Sequence, residues 1–249
     1  MSHASGRDVW ADVTAVILAG GVGSRLRPVV SDRPKGLAEV NGQPFMVFLL
    51  NQLAAAGAQR VVFSTGYMAD QVEAAFGSEH RGMSIHYSHE ATPLGTGGGL
   101  RLAAAMVASR TILVLNGDSY CQVDLNAFLG DYVGGDRVPV MLLARQADTS
   151  RFGRVECDPE FRVMAFQEKG EHAGAGWVNA GIYAVERGIV EAIPYGRPVS
   201  LERDVFPNWI ARGLRGFPCE GRFLDIGTPE SYAQVETFFS ALNASSAER

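Results

Sequence analysis

Apolar runs alternate with helical spacing through the first half of the chain. Residues 13–19 read VTAVILA, a continuous apolar run that stops at Gly20 and Gly21, as a buried parallel strand does. Helical spacing follows over residues 45–56 and stops at Gly57, and the next apolar run, RVVFS, comes directly after it. This order predicts a strand–helix–strand unit.

The same alternation continues as far as residue 115. It predicts helices over residues 71–76 and 100–107, and strands over residues 84–88 and 111–115. Such alternation is typical of a mostly parallel sheet with helices on both faces, which binds ligands beyond the carboxyl ends of its strands. We therefore predict an α/β fold, a Rossmann-like three-layer sandwich.

The second half of the chain has a different pattern, with several strands and few helices between them. These strands are predicted over residues 139–144, 154–157, 163–167 and 178–184. The pattern favours a smaller antiparallel lobe that closes over the first half. Because no long linker interrupts the chain, a single domain is predicted over residues 13–242, with flexible termini at 1–12 and 243–249.

Composition and charge exclude several classes of protein. The 249 residues are 47% hydrophobic and 20% charged, as in folded globular proteins. The formal net charge of −5 argues against a broad surface for nucleic acid or an anionic membrane, so neither is an expected partner. No apolar run reaches the roughly 18 to 20 residues of a membrane span, and the start of the chain has no apolar signal-peptide core. A cytoplasmic protein is expected.

The cysteines indicate neither a disulfide framework nor a zinc cluster. Cys121, Cys157 and Cys219 are widely spaced and form no C-x-x-C pair. Buried free thiols are predicted at all three positions.

The densest candidate chemistry is LAGGVGSRLRP at residues 18–28, followed by RPKG at residues 33–36. Glycines let backbone amides approach phosphate oxygens, and an arginine can add paired hydrogen bonds. The run is not a Walker A loop, because no Gly-Lys-Ser/Thr follows it. It is not a dinucleotide-binding fingerprint either, because Leu26 occupies the third glycine position. Alone, these residues indicate only a phosphate-binding loop.

The whole run closely resembles the signature of sugar-1-phosphate nucleotidyltransferases, and similar blocks recur in family order along the chain. These blocks are LGTGGG at 94–99, NGDS at 116–119, FQEK at 166–169, NAGIY at 179–183 and DIGTPE at 225–230. The resemblance implies the fold of this family, with residues 13–135 binding the nucleotide and residues 136–242 binding the sugar.

The resemblance also implies a reaction in which the phosphate of a sugar 1-phosphate attacks the α-phosphorus of a nucleoside triphosphate and pyrophosphate leaves. The nucleophile is already an anion at neutral pH, so catalysis depends on cations and backbone amides rather than on a general base. By resemblance, Arg25 binds the β- and γ-phosphates and Lys35 lies near the α-phosphate and the leaving group. Asp118 and Asp225 hold Mg²⁺, which prefers such hard oxygen ligands. Arg25, Lys35 and Asp118 are the expected catalytic residues.

Further binding residues follow from the same resemblance. Those expected to contact the nucleotide are Leu18, Ala19, Gly20, Gly21, Gly23, Ser24, Arg25, Glu90, Gly95, Thr96 and Asn116. Those expected to contact the sugar phosphate are Gly117, Glu168, Lys169, Asn179 and Gly181. Among them, Glu90 is expected to accept hydrogen bonds from N1–H and N2–H₂ of guanine, and Lys169 to meet the 1-phosphate.

Within the family, the segments SRFG at 150–153 and SLE at 200–202, together with LGTGGG, look most like the short heptose-1-phosphate guanylyltransferases. That likeness implies transfer of GMP from GTP to D-glycero-α-D-manno-heptose 1-phosphate, for capsule or other surface polysaccharides. The chain departs from the family at Gly36, where proline is usual, and glycine there loosens the backbone beside Lys35. Dimers are common in the family, so a homodimer is among the implied partners.

Other activities stay open at this point. Uridylyltransferases acting on N-acetylmuramate or another hexose 1-phosphate share the LxTGGG and NGD blocks, and mannose-1-phosphate guanylyltransferases are equally close rivals. A catalytically silent regulatory subunit that binds nucleotide sugars is disfavoured, because Arg25, Lys35, Asp118, Lys169 and Asp225 are all present.

Overall fold

The structure is a computed structural model that describes residues 8–167 and 174–247. Its strands are β1 Val13–Ala19, β2 Glu39–Val40, β3 Gln43–Pro44, β4 Arg60–Thr65, β5 Glu79–His80, β6 Met83–His89, β7 Thr111–Asn116, β8 Ser119–Cys121, β9 Val140–Gln146, β10 Arg154–Cys157, β11 Val163–Phe166, β12 Gly176–Glu186, β13 Arg215–Cys219 and β14 Phe223–Asp225. Its α-helices are α1 Met46–Ala56, α2 Ala69–Phe76, α3 Gly95–Ala103, α4 Leu125–Gly134, α5 Arg187–Glu191, α6 Phe206–Ala211, α7 Pro229–Tyr232 and α8 Val235–Ala247. Short 3₁₀ helices cover Val9–Asp12, Lys35–Leu37 and Ala104–Met106, and a π-helical turn covers Leu201–Val205.

One sheet joins ten of the described strands. Its order is β11-β10-β12-β7-β1-β4-β6-β5, with β9 paired to β12 and β13 paired to β9. The strands β7, β1, β4 and β6 run parallel, whereas β12, β10 and β11 are antiparallel additions. The predicted α/β class is confirmed, with its mostly parallel centre and a mostly antiparallel second half, in which β13 pairs parallel to β9.

Two hydrophobic cores cover the two faces of this sheet. Ala15 and Ile17 of β1 enter the core that contains α1 and α4, whereas Val16 enters the core that contains α3 and α6. Successive side chains of a strand point to opposite faces, so a strand covered on both faces needs an uninterrupted apolar run. Burial of a valine or isoleucine side chain such as Val16 or Ile17 stabilises the fold by about 1.5–3 kcal/mol.

The long strand β12 belongs to both halves of the chain. Trp177 and Val178 near its start pair with β10, and Ile182–Glu186 pair with β7 of the parallel part. Its pairing with β9 shifts register between Asn179 and Tyr183, where Gly181 adopts a positive φ of 76°. The sheet is therefore continuous from the first half to the second.

Part of each terminal segment, 1–12 and 243–249, carries regular structure. Residues 9–12 form a 3₁₀ helix, and Trp10 within it is buried and donates from Nε1–H to Asn126 Oδ1 at 2.7 Å. At the other end, α8 continues past residue 242 to Ala247. The contact between Trp10 and Asn126 holds this helix in place, and the local sequence does not reveal it.

The start of α3 also differs from the prediction. The helix begins at Gly95 rather than at residue 100, so the run of glycines forms its first turns. Glycine is a poor helix former, but here the Gly97 and Gly98 amides donate to the Val199 carbonyl at 2.9 and 3.2 Å. This contact from a distant segment outweighs the local propensity.

No helix in the described ranges is long and apolar enough to cross a membrane.

Candidate active site

A cleft of about 540 Å³ opens at the carboxyl ends of β1 and β7. The sequence-predicted residues that line it are Leu18, Ala19, Gly20, Gly21, Gly23, Ser24, Arg25, Lys35, Glu90, Gly95, Thr96, Asn116, Gly117, Asp118, Asn179 and Asp225. Parallel strands place the loops at their carboxyl ends along one edge of a sheet, which is why residues so far apart in the chain meet here. Glu168 and Lys169 lie outside the described residues.

The glycine loop leaves β1 and bends sharply at Gly23. Gly23 has a positive φ of 64°, and a Cβ there would lie 3.1 Å from Cβ of Lys35. The carbonyl of Gly23 then accepts from the amide of Leu26 at 2.9 Å, and the Leu26 side chain is buried. Glycine is therefore required at this position both for the backbone angle and for the close approach of Lys35.

Lys35 and Asp118 form an ion pair in the cleft. Lys35 begins a 3₁₀ helix after Pro34, and Asp118 follows β7 through Gly117. The Lys35 Nζ lies 2.5 Å from Asp118 Oδ2, and only 11% of the lysine side chain is exposed. Burial acts to raise the pKa of Asp118, but the Lys35 ammonium outweighs it and holds that pKa below its ordinary value.

A second carboxylate joins the first through Ser119. The ladder between β8 and β14 pairs Ser119 with Asp225. Ser119 Oγ lies 3.1 Å from Asp118 Oδ1 and 3.3 Å from Asp225 Oδ2, and the Gly227 amide donates to Asp225 Oδ1 at 2.6 Å. Two carboxylates from distant parts of the chain are thus fixed side by side at the mouth of the cleft.

Gly227 is the point on which the charged side chains converge. A Cβ at this position would lie 3.1 Å from Nζ of Lys35 and 3.5 Å from Nη2 of Arg25, and it would contact Asp225 Oδ1 more closely still. The absence of a side chain therefore lets two cations and a carboxylate come together at the end of the glycine loop.

Glu90 is packed between the glycine loop and α3. Its Oε2 accepts from the Leu94 amide at 2.8 Å, and its Oε1 lies 3.5 Å from the Ser64 hydroxyl. A Cβ on Gly20 would lie 2.6 Å from Glu90 Oε1, and one on Gly99 would lie closer. Burial raises the pKa of Glu90. The two glycines thus form a narrow slot that holds an acceptor group beside the loop.

The start of α3 is fixed to the π-helical turn that precedes α6. Thr96 Oγ1 accepts from the Leu201 amide at 2.8 Å and donates to Glu202 Oε2 at 3.2 Å. The same carboxylate oxygen accepts from the Ser200 hydroxyl at 2.9 Å. Glu202 lines the cleft together with Thr96, so this contact joins the two halves of the site.

Asn179 and Gly181 differ in what they contribute. The Asn179 amide is already engaged within the protein, since its Oδ1 accepts from the Gly181 amide and its Nδ2 donates to the Tyr183 hydroxyl, both at 2.8 Å. Gly181 does not line the cleft; a Cβ there would lie 2.9 Å from Nδ2 of Asn116. Gly181 therefore gives room to a neighbouring side chain rather than a surface to a ligand.

Sequence reasoning assigned no role to several other residues of the cleft. Ser119, Phe152, Glu202 and Phe223 all line it, and the rings of Phe152 and Phe223 meet edge to face with centroids 5.5 Å apart. Strand periodicity offered one signal, because residues two apart in β14 share a face, which puts Phe223 beside Asp225.

The chain matches the nucleotidyl transferase family over residues 14–241. It is 41% identical over 227 residues to a mannose-1-phosphate guanylyltransferase of Mycobacterium tuberculosis, a match that covers 89% of this chain but only 63% of that relative's length. It is 34% identical over 223 residues to a D-glycero-α-D-manno-heptose 1-phosphate guanylyltransferase of Aneurinibacillus thermoaerophilus, which covers 89% of this chain and 96% of that relative.

A solved structure agrees with this result. The structure of HddC from Yersinia pseudotuberculosis complexed with GMP-PN superposes with a TM-score of 0.81 at 31% identity, over 91% of this chain and 99% of that one.

Proposed function

The chain belongs to the nucleotidyl transferase family, and on that premise we propose that it transfers GMP from GTP to the phosphate of a sugar 1-phosphate. A phosphate oxygen of the sugar 1-phosphate forms a bond to the α-phosphorus, and the bond from that phosphorus to the oxygen bridging to the β-phosphorus breaks. That bridging oxygen leaves with pyrophosphate and takes the electron pair. No proton has to be removed from the nucleophile, so the protein's task is to align two anions and reduce their repulsion.

The observation that carries this proposal is the convergence of Lys35, Arg25 and Asp225 on Gly227 beside the glycine loop. In this proposal, Arg25 and the loop amides bind the β- and γ-phosphates, and Lys35 stabilises charge on the α-phosphate and the leaving pyrophosphate. A positioned cation of this kind is worth about 3–4 kcal/mol in the transition state. The lining of the cleft includes two cations and four acidic side chains, so the attraction for a triphosphate would come from the two cations placed at its phosphates together with a bound divalent metal ion.

We assign a Mg²⁺ ion to Asp118 and Asp225. Their carboxylates fit this ion, because both are hard oxygen donors and both lie within hydrogen-bond distance of the Ser119 hydroxyl. Two protein ligands leave room for phosphate oxygens and water, the usual arrangement for Mg²⁺ at a triphosphate. When bound, the ion would neutralise part of the triphosphate charge.

We assign the guanine base to the slot that holds Glu90. Guanine presents two neighbouring N–H donors on one edge, and a carboxylate offers two acceptor oxygens to meet them. The names of the relatives support this base, since the bacterial relatives above are both guanylyltransferases, and the structural neighbour was solved with GMP-PN. Uracil presents a single N–H donor, so it would make one hydrogen bond to this carboxylate where guanine makes two.

For the sugar, we favour D-glycero-α-D-manno-heptose 1-phosphate. The chain matches such enzymes nearly end to end, covering 96% of the Aneurinibacillus enzyme. Mannose 1-phosphate is the second candidate, because the identity to the mannose-1-phosphate guanylyltransferase, 41%, exceeds the 34% to the heptose 1-phosphate enzyme. Both sugars have the manno ring, and we propose that Asn179, Glu202 and the Phe152–Phe223 pair receive it. The roles of Glu168 and Lys169 remain predictions.

Release of pyrophosphate in the presence of Mg²⁺ tests this function directly. GTP, UTP, dTTP, CTP and ATP are each paired with the heptose, mannose and N-acetylhexosamine 1-phosphates. We expect the largest kcat/KM for GTP with the heptose, and a smaller one for GTP with mannose. Turnover of UTP with an amino sugar but none with GTP would contradict the guanylyl assignment. No turnover with any pair would favour a silent nucleotide-sugar-binding protein.

Since nucleoside triphosphates are made in the cytoplasm, we assign the reaction to that compartment. A role in capsule or other surface polysaccharide synthesis, and a homodimeric assembly, remain predictions.

A further inference from the structure

Two thiols face each other behind the candidate active site. Cys121 ends β8 and Cys219 ends β13, 98 residues later, and their Sγ atoms are 4.0 Å apart. All three cysteines are free thiols, as predicted, although Cys157 on β10 is only half-buried. A pair of sulfurs this close is a chemically distinct site that nucleotidyl transfer does not use.

The backbone around both cysteines is tied together, so the two sulfurs are held in register. In the connection between β13 and β14, the Arg222 carbonyl accepts from the Gln122 amide at 2.8 Å. Phe223 is the ladder partner of Cys121. A disulfide needs a sulfur–sulfur distance of about 2.05 Å. From their separation of 4.0 Å the two sulfurs would therefore have to approach by about 2 Å, through rotation of the side chains and a shift of β8.

The two cysteines differ in reactivity. Both side chains are buried, but Cys121 is 0% exposed and Cys219 is 9% exposed. The Gly221 amide donates to the Cys219 sulfur at 3.3 Å. The hydrogen bond from Cys121 lowers the pKa of Cys219, whereas the same contact and burial raise the pKa of Cys121. Cys219 is therefore the thiol that meets an oxidant first, because the thiolate is the reactive form.

We propose that Cys121 and Cys219 form a reversible intramolecular disulfide and that this modification lowers turnover at the active site. With hydrogen peroxide as the oxidant, the Cys219 sulfur bonds to one peroxide oxygen, the O–O bond breaks and water leaves. The Cys121 sulfur then attacks the resulting sulfenic sulfur, the S–O bond breaks and a second water leaves. The two thiols lose two electrons and two protons, and the peroxide gains them.

The link to the active site runs through β8. That strand forms a separate two-stranded sheet with β14, and β13 belongs to the main sheet. Ser119, two residues before Cys121, contacts both Asp118 and Asp225. A disulfide would pull the far end of β8 toward β13 and change the spacing of those carboxylates. Misplacement of reacting groups by about 1 Å can cost as much as 10²-fold in rate.

The effect on turnover rests on the proposed function, but formation of the disulfide does not. The test treats the reduced full-length chain with hydrogen peroxide and follows titratable thiols, the mass of the peptide pair and kcat. We expect the thiols to fall from three to one, a peptide pair joining Cys121 to Cys219, and a roughly tenfold loss of kcat. Dithiothreitol should restore both thiols and kcat.

Two variants sharpen this experiment. In the Cys157→Ser variant, peroxide should remove both remaining thiols and lower kcat by the same factor as in the natural chain. The Cys219→Ser variant should form no cross-link and should keep its kcat through peroxide treatment. Thiols that stay titratable, or a cross-link to Cys157 or between chains, would overturn the proposal. A Cys121–Cys219 cross-link with unchanged kcat would overturn its second half. If no substrate pair turns over, the thiol count and the peptide map still decide whether the disulfide forms.

Discussion

Lys35 Nζ lies 2.5 Å from Asp118 Oδ2, although the two residues are 83 positions apart in the chain. The contact joins the lysine assigned to the leaving group with a carboxylate assigned to Mg²⁺. Each charge keeps the other in place, since a largely buried charge without a partner is costly. Binding of the triphosphate and the ion must therefore redistribute these contacts rather than simply fill a prepared space.

Replacing Lys35 by alanine should abolish turnover and leave the fold intact. We expect kcat to fall by roughly 10²- to 10³-fold, because the charge that stabilises the leaving pyrophosphate is lost. Steady-state pyrophosphate release measures this effect, and thermal unfolding checks the fold. Arg27→Ala is the matched control, since Arg27 is exposed and contacts Tyr67 outside the cleft. Near-normal turnover of the lysine variant would refute the assignment.

Ser119→Ala should weaken the binding of Mg²⁺ more than it lowers kcat at saturating Mg²⁺. Without the hydroxyl, the carboxylates of Asp118 and Asp225 lose the group that holds them together. We expect the Mg²⁺ concentration for half-maximal activity to rise about 10- to 100-fold, the usual cost of removing a hydrogen-bond partner of a metal ligand. Saturating Mg²⁺ should recover most of kcat. Ser84→Ala, which removes only a hydrogen bond to the Gln59 carbonyl, should leave this titration unchanged.

Glu90→Gln should reduce discrimination between bases. A hydrogen bond to a charged group contributes about 1.5–3 kcal/mol, so kcat/KM for GTP should fall roughly 10- to 100-fold. Inosine triphosphate, which lacks the 2-amino group, is the informative comparison. The natural enzyme should prefer GTP to it, and the variant should treat the two nearly alike. An unchanged preference in the variant would move base recognition away from Glu90.

The same residue predicts a pH dependence for GTP binding. Burial raises the pKa of Glu90 above its ordinary value of 4.5. Above that pKa the ionised carboxylate accepts from both guanine donors, and as the pH falls through it the protonated group loses an acceptor. KM for GTP should therefore rise on acidification, beginning at a higher pH than an unshifted glutamate would give. The Glu90→Gln variant cannot protonate there, and its KM should lack this rise.

Gly227→Ala should impair activity far more than stability. The added Cβ would lie 3.1 Å from Lys35 Nζ and crowd the Asp225 carboxylate. We expect kcat/KM to fall about tenfold or more, on the scale set by small misplacements of reacting groups. Gly188→Ala is the control, because a Cβ there meets nothing within 4 Å and alanine suits a helix better than glycine. A loss of stability without a loss of activity would contradict this account.

The fold was predictable where burial alone decides the structure. The strands β1 (Val13–Ala19) and β4 (Arg60–Thr65) needed apolar residues on both faces, and that pattern is visible in the sequence. The start of α3 was not predictable, because its glycines become helical only through the Val199 carbonyl, about 100 residues away. The burial of Trp10 was not predictable for the same reason, since its hydrogen-bond partner Asn126 lies far along the chain.

Some residues of the candidate site could likewise be predicted from the sequence, and others could not. Family motifs were sufficient to select Lys35, Asp118 and Asp225, which the structure brings together at one cleft. They could not show that Ser119 spans the two carboxylates or that Glu202 reaches Thr96, because both contacts join segments from different halves of the fold. Gly181 was assigned to the sugar for its small size, but the neighbour that uses this space is Asn116.

The shared strand β12 has a consequence for the design of altered enzymes. Its residues Trp177 and Val178 pair with β10 of the second half, and Ile182–Glu186 pair with β7 of the first half. A cut anywhere along it would leave exposed edges on both fragments, with unpaired backbone groups. Chimaeras of relatives should therefore be joined outside β12, so that this strand and both of its pairings come from the same parent.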